Sequence, residues 1–420
     1  MTDTSSTTRR FRFSMFAALY VVQGVGLAYF RNFQKPYLDT LGIDADSIGW
    51  LTLILQLPFV LKIFIGMVSD RVSLLGLGHR KPYIILGLIL AGAAFASAAV
   101  VPPDVSFPLF ALVVTLGSFS VTLFDSATDG LAIDITPRQD QGTVQGLMVA
   151  SRAGAFILLS LVFGAVVERW GYRPVFLVIG LSMLFPLAWV TMVREPKTRN
   201  ASQTFDWHAF RALGQPRFLV FAVFAVVYSI GSFGVDGLVT YFLSEQFRAP
   251  ETIIGQYGAL RGLGAIVGAI GGGALLSRLS RRRGAIVAAV GITLGAALIG
   301  SATSSRMTVA LGLIWGLAWA FQETVFFALA MDIADSRIAA SMFAIMMGIS
   351  NLGSAVADGA ATGLSDNLGF RQVFWLLAAI NLLTLPVLER LFRVAPELAY
   401  TGTPGVGTPA DTDIQGGMAR

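Results

Sequence analysis

Leu131-Ala132-Ile133-Asp134-Ile135 recurs as Leu329-Ala330-Met331-Asp332-Ile333, 198 residues further along a chain of 420. At the same shift Asp125 falls on Glu323, and Gly171-Tyr172-Arg173-Pro174-Val175-Phe176 falls on Gly369-Phe370-Arg371-Gln372-Val373-Phe374. Ser151 and Gly154 meet Ser350 and Gly353 almost in step. Gly66-Met67-Val68-Ser69-Asp70-Arg71 corresponds to Gly273-Ala274-Leu275-Leu276-Ser277-Arg278 at a somewhat larger shift. Several matches at one shift, in a background of interchangeable apolar residues, mark an internal duplication.

The composition says what is duplicated. Hydrophobic residues make up 55% of the chain and charged ones 13%, with a mean hydropathy of +0.70, whereas soluble chains carry about 25% charge. Twelve spans of about 20 residues each need about 240 residues, which leaves short connections and no large soluble domain. Apolar runs start near Phe13, Trp50, Tyr83, Phe107, Gly142 and Pro174, and again near Phe218, Tyr257, Ala285, Val309, Met342 and Gln372. They are too long and uniformly apolar for barrel strands, and open sheets leave unpaired edges in lipid, so helices are expected. The fold class predicted is an all-α integral membrane protein of about 12 transmembrane helices in two pseudo-symmetric six-helix bundles. Its expected segments are an amino-terminal tail 1–12, a first bundle 13–193, a central loop 194–217, a second bundle 218–393 and a disordered tail 394–420.

Lys and Arg set the orientation, because loops rich in them stay cytoplasmic. With the amino terminus inside, nineteen of the Lys and Arg residues fall on the inner side and seven on the outer, Arg31 and Lys35 among the seven. Both termini are therefore expected in the cytoplasm, with the first helix retained because no small-residue cleavage site follows it. The run Arg281 to Arg283 reads as a topology signal, so no nucleic-acid partner is expected. Asn200-Ala201-Ser202, a glycosylation acceptor by pattern, falls in the central inner loop. With no cysteine and two histidines, neither disulfide nor metal site nor thiol nucleophile is expected. No Gly-x-x-x-x-Gly-Lys-Ser/Thr loop occurs, so no nucleotide cofactor is expected, and a proton gradient is the simpler drive.

Two six-helix halves in parallel repeat place a substrate site between them near the bilayer midplane, exposed to each side in turn. The segment Gly66-x-x-x-Asp70-Arg71, followed by Gly78-His79-Arg80-Lys81, resembles the signature loop of the major facilitator superfamily. An insertion interrupts it, and Ser277 replaces the acid in the second copy. Such a loop can clamp the halves shut by pairing a carboxylate with a basic cluster. Asp125, Asp129 and Asp134 with Ile135-Thr136-Pro137, Ser151-Arg152-Ala153-Gly154, and Pro58 to Lys62 resemble the branch of AmpG-type muropeptide permeases and acetyl-CoA transporters. The resemblance implies a permease of small molecules and covers the whole membrane region. Folate-biopterin transporters and pigment-assembly proteins share the pattern.

Ionisable residues at depth are functional candidates because lipid penalises them. Asp129 lies about 7 Å and Asp125 about 13 Å above Asp134 along one helix. Asp125 and Asp129, four apart, share a face, whereas Asp134 points about half a turn away. Asp134 and its repeat mate Asp332 are assigned, with Gly66, Asp70, Arg71, Arg80 and Lys81, to a cytoplasmic gate. Arg152, about 15 Å into the next helix, reaches the depth of Asp125. A buried arginine keeps its proton and needs an anion opposite. The expected site shares Arg152 between Asp125 or Asp129 and an acidic substrate group, with Lys62 adding positive field. A static ion pair fixing two helices is the alternative.

Glu323, beside Gln322 and after Trp319, has Asn351 where the first half has Arg152, which makes it the less compensated acid and the expected proton carrier. Gln23 and Asn351 are candidates for substrate hydrogen bonds. Asp236, Arg261 and Asp358 lie nearer the outer ends, lining a vestibule or snorkelling to the interface. Together these residues predict a proton-coupled secondary transporter of the inner membrane, a monomer whose partners are the bilayer and a small, anionic solute. No catalytic group is expected. A non-transporting scaffold on the same bundle and a drug or metabolite efflux carrier are the alternatives.

Overall fold

The computed structural model describes residues 8–74, 78–193, 195, 207–212, 214–334 and 339–399, with only the backbone described for Asp70, Arg138, Ala209, Ala212, Ala339 and Ala340. Among the described residues twelve long helices run through it, beside two short ones, Gln34–Thr40 and Ala209–Ala212. The first six are α1 (Arg9–Asn32), α2 (Ala45–Ser69), α3 (Lys81–Ala98), α4 (Phe107–Ile135), α5 (Arg138–Trp170) and α6 (Arg173–Met192). The second six are α7 (Pro216–Phe247), α8 (Glu251–Leu276), α9 (Arg281–Gly300), α10 (Ser305–Ile333), α11 (Ala339–Leu368) and α12 (Phe370–Val394). Each expected apolar run falls within one of these helices, which start at or a few residues before the predicted positions. The carboxyl-terminal boundary moves later, because Pro396–Ala399 forms a 3-10 turn with Leu398 buried. Most of the central loop and the tail from 400 lie outside the described residues.

Among the described residues, eleven of the helices are long and apolar enough to cross a membrane. In α11 the polar residues are turned inward. Ser350, Ser354, Asp358, Thr362 and Ser365 are all buried, each with a hydrogen-bond partner. Burial of paired polar groups inside the bundle is what lipid permits.

The duplication is visible as contacts. Within the first half α1 packs on α5, α3 on α4 and α6, and α2 on α4. In the second half α7 packs on α11, α9 on α10 and α12, and α8 on α10. Across the halves α2 meets α11 and α5 meets α8, which are again repeat mates.

The repeated Gly-x-Arg corner has a structural reason. Gly171 and Gly369 have φ of +75° and +81°, the left-handed region that glycine adopts without penalty, and there the chain turns from α5 into α6 and from α11 into α12. Two residues on, Arg173 Nε donates to the Ala99 carbonyl at 2.9 Å and Arg371 donates to the Ala302 carbonyl at 3.4 Å. Each guanidinium thus satisfies a carbonyl past a helix end that would otherwise go unpaired. These arginines staple their own halves.

The crossings between halves are tight at the end of the molecule far from the chain termini. A Cβ on Gly359 would run against the Gly49 backbone, and one on Gly164 against Glu251. Small residues at such crossings let the helix backbones touch, and this closes the far end.

Candidate substrate and coupling site between the halves

A cavity of about 950 Å³ lies between the halves. Its lining runs from Gln23, Asp125 and Asn351 at mid-depth to Arg80, Asp134, Met331 and Ser341, so it opens toward the end that carries the termini.

Its charged wall is built by α1, α2, α4 and α5. Pro58 sits inside α2 and lacks the N–H that would continue the ladder. The helix breaks at Leu61, which separates Ala45–Val60 from Lys62–Arg71. Lys62 follows the break and places its ammonium between two carboxylates, at 2.5 Å from Asp125 and 2.7 Å from Asp129. The remaining oxygens are also engaged. Gln23 Nε2 donates to Asp125 Oδ1 at 2.7 Å, and the Tyr20 hydroxyl donates to Asp129 Oδ1 at 2.5 Å. Asp125 is buried and Asp129 is partly open to the cavity.

Arg152 takes a different place from the one expected. Its guanidinium lies over the Tyr20 ring, 5.6 Å from the centroid, and lines the cavity. Among the described residues no carboxylate is within ion-pair distance of it. Lys62, not Arg152, is the cation in contact with the two acids. Arg152 lines the same cavity as Asp125, but the rotation of α5 about its axis turns it toward α1.

The residues expected to form a gate pair within their own halves. Arg80 Nε lies 3.5 Å from Asp134, and its guanidinium donates to Ser69 Oγ at 2.5 Å. Arg281 donates to Asp332 at 2.9 Å. Lys81 Nζ donates to the Thr191 and Val193 carbonyls at 2.5 and 3.1 Å, and Glu195 accepts from the backbone N–H groups of His79, Arg80 and Lys81. A carboxylate at the start of α3 and an ammonium at the end of α6 satisfy orphan helix-terminal groups. In this conformation these contacts brace each half. Arg71 lies 6.0 Å from the Trp207 ring centroid, Gly66 lines the cavity, and the Asp70 side chain is outside the described residues.

The second half carries its own ionic cluster. Asp236 and Arg261 form a two-point ion pair at 2.9 and 2.7 Å, and Trp315 Nε1 donates to Asp236 at 2.9 Å. Arg261 also lies 4.1 Å from the Trp319 centroid. This pair is buried, which rules out the vestibule and snorkelling readings for it. Glu323, Gln322 and Trp319 are near this cluster and not on the cavity wall. Glu323 Oε2, Gln322 Oε1 and Trp319 Nε1 are buried without a hydrogen-bond partner among the described residues. Asn351 Nδ2 donates to the Phe59 carbonyl across the halves at 3.2 Å.

At the far end Lys35 and Asp358 form a buried ion pair between the halves, supported by Lys35 bonds of 2.7 Å to the Gly237 carbonyl and to Thr362 Oγ1. Arg31 at 3.7 Å and Gln56 at 3.0 Å complete the shell around Asp358. Nearby, Ser244 on α7 donates to Asp39 at 2.6 Å. Burial, and then the carboxyl of Glu245 facing it, push Asp39 up to about 7.

Tyr20, Lys35 and Arg31 were not singled out from the sequence. Tyr20 stands three residues before Gln23 and so shares its face, a usable signal. Lys35 and Arg31 counted only as outer-side charges.

The sequence model of the Major Facilitator Superfamily matches residues 13–242 and 221–412. The anhydromuropeptide permease of Escherichia coli (strain K12) is 23% identical over 407 residues, 93% of this chain and 81% of that protein. A folate-biopterin transporter of Synechocystis is 27% identical over 190 residues, covering 44% of this chain and 38% of its own length. Among solved structures, a bacterial homolog of the human lysosomal transporter Spinster, inward-facing and occupied, superposes with a TM-score of 0.74 at 14% identity, covering 94% of this chain and 99% of that one. A D-xylose-proton symporter superposes at 0.73 and 15% identity, over 94% and 100%. The helix count, the repeat-paired contacts and the match along both halves agree: this chain belongs to the Major Facilitator Superfamily.

Proposed function

We propose that this protein is a proton-coupled secondary transporter that carries an anionic organic solute across the inner membrane by alternating access. One observation carries the reading: a cavity between the halves, open at one end and latched at the other, contains two carboxylates, one shared lysine and an arginine with no carboxylate partner among the described residues. By the excess of Lys and Arg, the end with the termini faces the cytoplasm, so the conformer is inward-open and Lys35–Asp358 is its outer latch. The charges of Lys62, Arg152, Asp125 and Asp129 cancel. An anion bound at Arg152 leaves the site one charge negative in low dielectric, and a proton taken up with it restores neutrality. Solute and proton therefore enter together. Glu323 is the second acid in this scheme, because among the described residues its buried Oε2 has no hydrogen-bond partner and no cation within ion-pair distance.

The similarity to the anhydromuropeptide permease and the folate-biopterin transporter makes anhydromuropeptides and folates the first solutes to test. In proteoliposomes holding a pH-sensitive dye, an accepted solute is expected to acidify the lumen under an inward gradient. Lack of solute-dependent proton entry with every anion in such a panel contradicts the reading. Glu323→Gln is expected to lower gradient-driven accumulation by tenfold or more while solute exchange at equal pH continues. Unchanged accumulation in that variant removes Glu323 from the coupling path.

A further inference from the structure

The two walls of the cavity differ in charge, the first half setting its ionised groups among apolar residues such as Leu27, Phe30, Phe59 and Ile63. Among the described residues the first half supplies all its ionised groups, Lys62, Asp125, Asp129 and Arg152 deep in the site and Arg80 with Asp134 toward the mouth. The second half supplies Phe327, Met331, Phe343 and Met347, together with the small Ala344 and Gly348. Its polar lining residues are Ser341 and Asn351, and the Asn351 amide already donates to Phe59. Phe327 and Phe343 lie side by side with centroids 6.1 Å apart and planes tilted by 34°. Methionine fits an apolar surface to varied shapes because its chain is unbranched and polarisable.

A hydrophilic solute spanning this space would lose water against Phe and Met without gaining hydrogen bonds, which is unfavourable. An apolar solute without charge would leave Arg152 desolvated and unpaired, which is also unfavourable. A volume of about 950 Å³ lies at the upper end of the range for drug-sized ligands.

We infer that the site selects an amphipathic anion, whose carboxylate, phosphate or sulfonate head is held by Arg152 on the first half and whose apolar body of at least two fused rings, or the equivalent bulk, lies on Phe327, Met331, Phe343 and Met347 of the second. The inference rests on the transport reading only in calling this ligand cargo, since the walls select it whether or not it is moved. As the halves rock, the head stays with one bundle while the body slides over the other, where adaptable methionines tolerate the shift.

The test uses the full chain in lipid nanodiscs, with empty nanodiscs correcting for partition, and measures equilibrium binding of three probes. 2-Naphthoate has head and body, 2-naphthamide the body alone, and gluconate a hydrophilic chain with the same single charge. The inference expects 2-naphthoate to bind at least tenfold more tightly than either of the others. Arg152→Gln should bring it down to the level of 2-naphthamide, and Arg152→Lys should retain part of the preference. Phe343→Ser with Met347→Ser should erase the advantage over gluconate. Thermal unfolding of each variant verifies that the bundle is intact. Gluconate binding as well as 2-naphthoate overturns the inference, as does 2-naphthoate binding unchanged in Arg152→Gln, or no binding of any probe. Dye-loaded proteoliposomes separate the two readings. Proton entry with hydrophilic anions but not with 2-naphthoate sinks the inference and leaves the transporter standing. Selective binding without any flux does the reverse.

Discussion

Lys35→Met is expected to open the outer end. Lys35 and Asp358 are both buried, and the pair bridges the halves with two further bonds from the ammonium. Removing one partner of a buried pair costs about 3–5 kcal/mol. Arg31 and Gln56 still touch Asp358, which places this loss near the lower figure. About 3 kcal/mol is roughly a hundredfold in a population ratio, and transporter conformers differ by only a few kcal/mol, so the balance should tip toward the outward-open form. The chain lacks cysteine, so Leu27→Cys on the cavity wall reports this cleanly. A membrane-impermeant maleimide added outside should leave it unlabelled with Lys35 present and label it in Lys35→Met. Neutralising Asp358 as well, in Lys35→Met with Asp358→Asn, should recover part of the closure. Asp39 is expected to add a pH dependence. Its carboxyl is raised in the sealed state by burial and by Glu245, so that state binds the proton more tightly. Its support for the seal is full below the ordinary carboxylate range and is lost as outer pH rises through about 7.

Lys62→Met should abolish transport. The ammonium is the single cation in contact with both Asp125 and Asp129 among the described residues, and without it two carboxylates one helical turn apart face each other across low dielectric. The side chain is about a third open to the cavity, 32% by exposure, so the expected loss of stability is about 2–3 kcal/mol, somewhat below that of a fully buried pair. The expected loss in uptake is at least a hundredfold. Adding Asp125→Asn to Lys62→Met removes the repulsion and should recover most of the thermal stability with none of the transport. Parent-level uptake by Lys62→Met would reduce the cluster to a structural tie between α2 and α4.

The duplicated Gly-x-Arg corners show why the fold was legible. A positive-φ glycine and an arginine aimed at a neighbouring carbonyl are local devices, so their recurrence at Gly171 and Gly369 marks the same turn twice. Helix extents were legible because lipid demands continuous apolar length. Asp125 and Asp129 were legible as a pair because a separation of four fixes a shared face. Their partner was not. Depth along a helix follows from counting residues, but rotation about its axis is set by packing, and that rotation gives Lys62 to the acids and Arg152 to Tyr20. The outer latch was hidden for another reason. Lys35 and Asp358 are separated by 323 residues, and no local pattern encodes a contact made only when two halves close. The resemblance of the Gly66 to Lys81 segment to a signature loop suggested a clamp between halves; among the described residues Arg80 pairs with Asp134 and Lys81 with the end of α6.

Alternation of the two ends can be measured as two distances in one protein. Spin labels at Val72→Cys and Arg278→Cys span the end that carries the termini, proposed as cytoplasmic, and labels at Val105→Cys and Thr303→Cys span the opposite end, all four sites being exposed. Across pH and added solute, the first distance should shorten whenever the second lengthens, and Lys35→Met should favour the short cytoplasmic and long outer pair. Distances that stay fixed under every condition, or that change together in the same sense, would mean that the halves do not rock about a shared cavity.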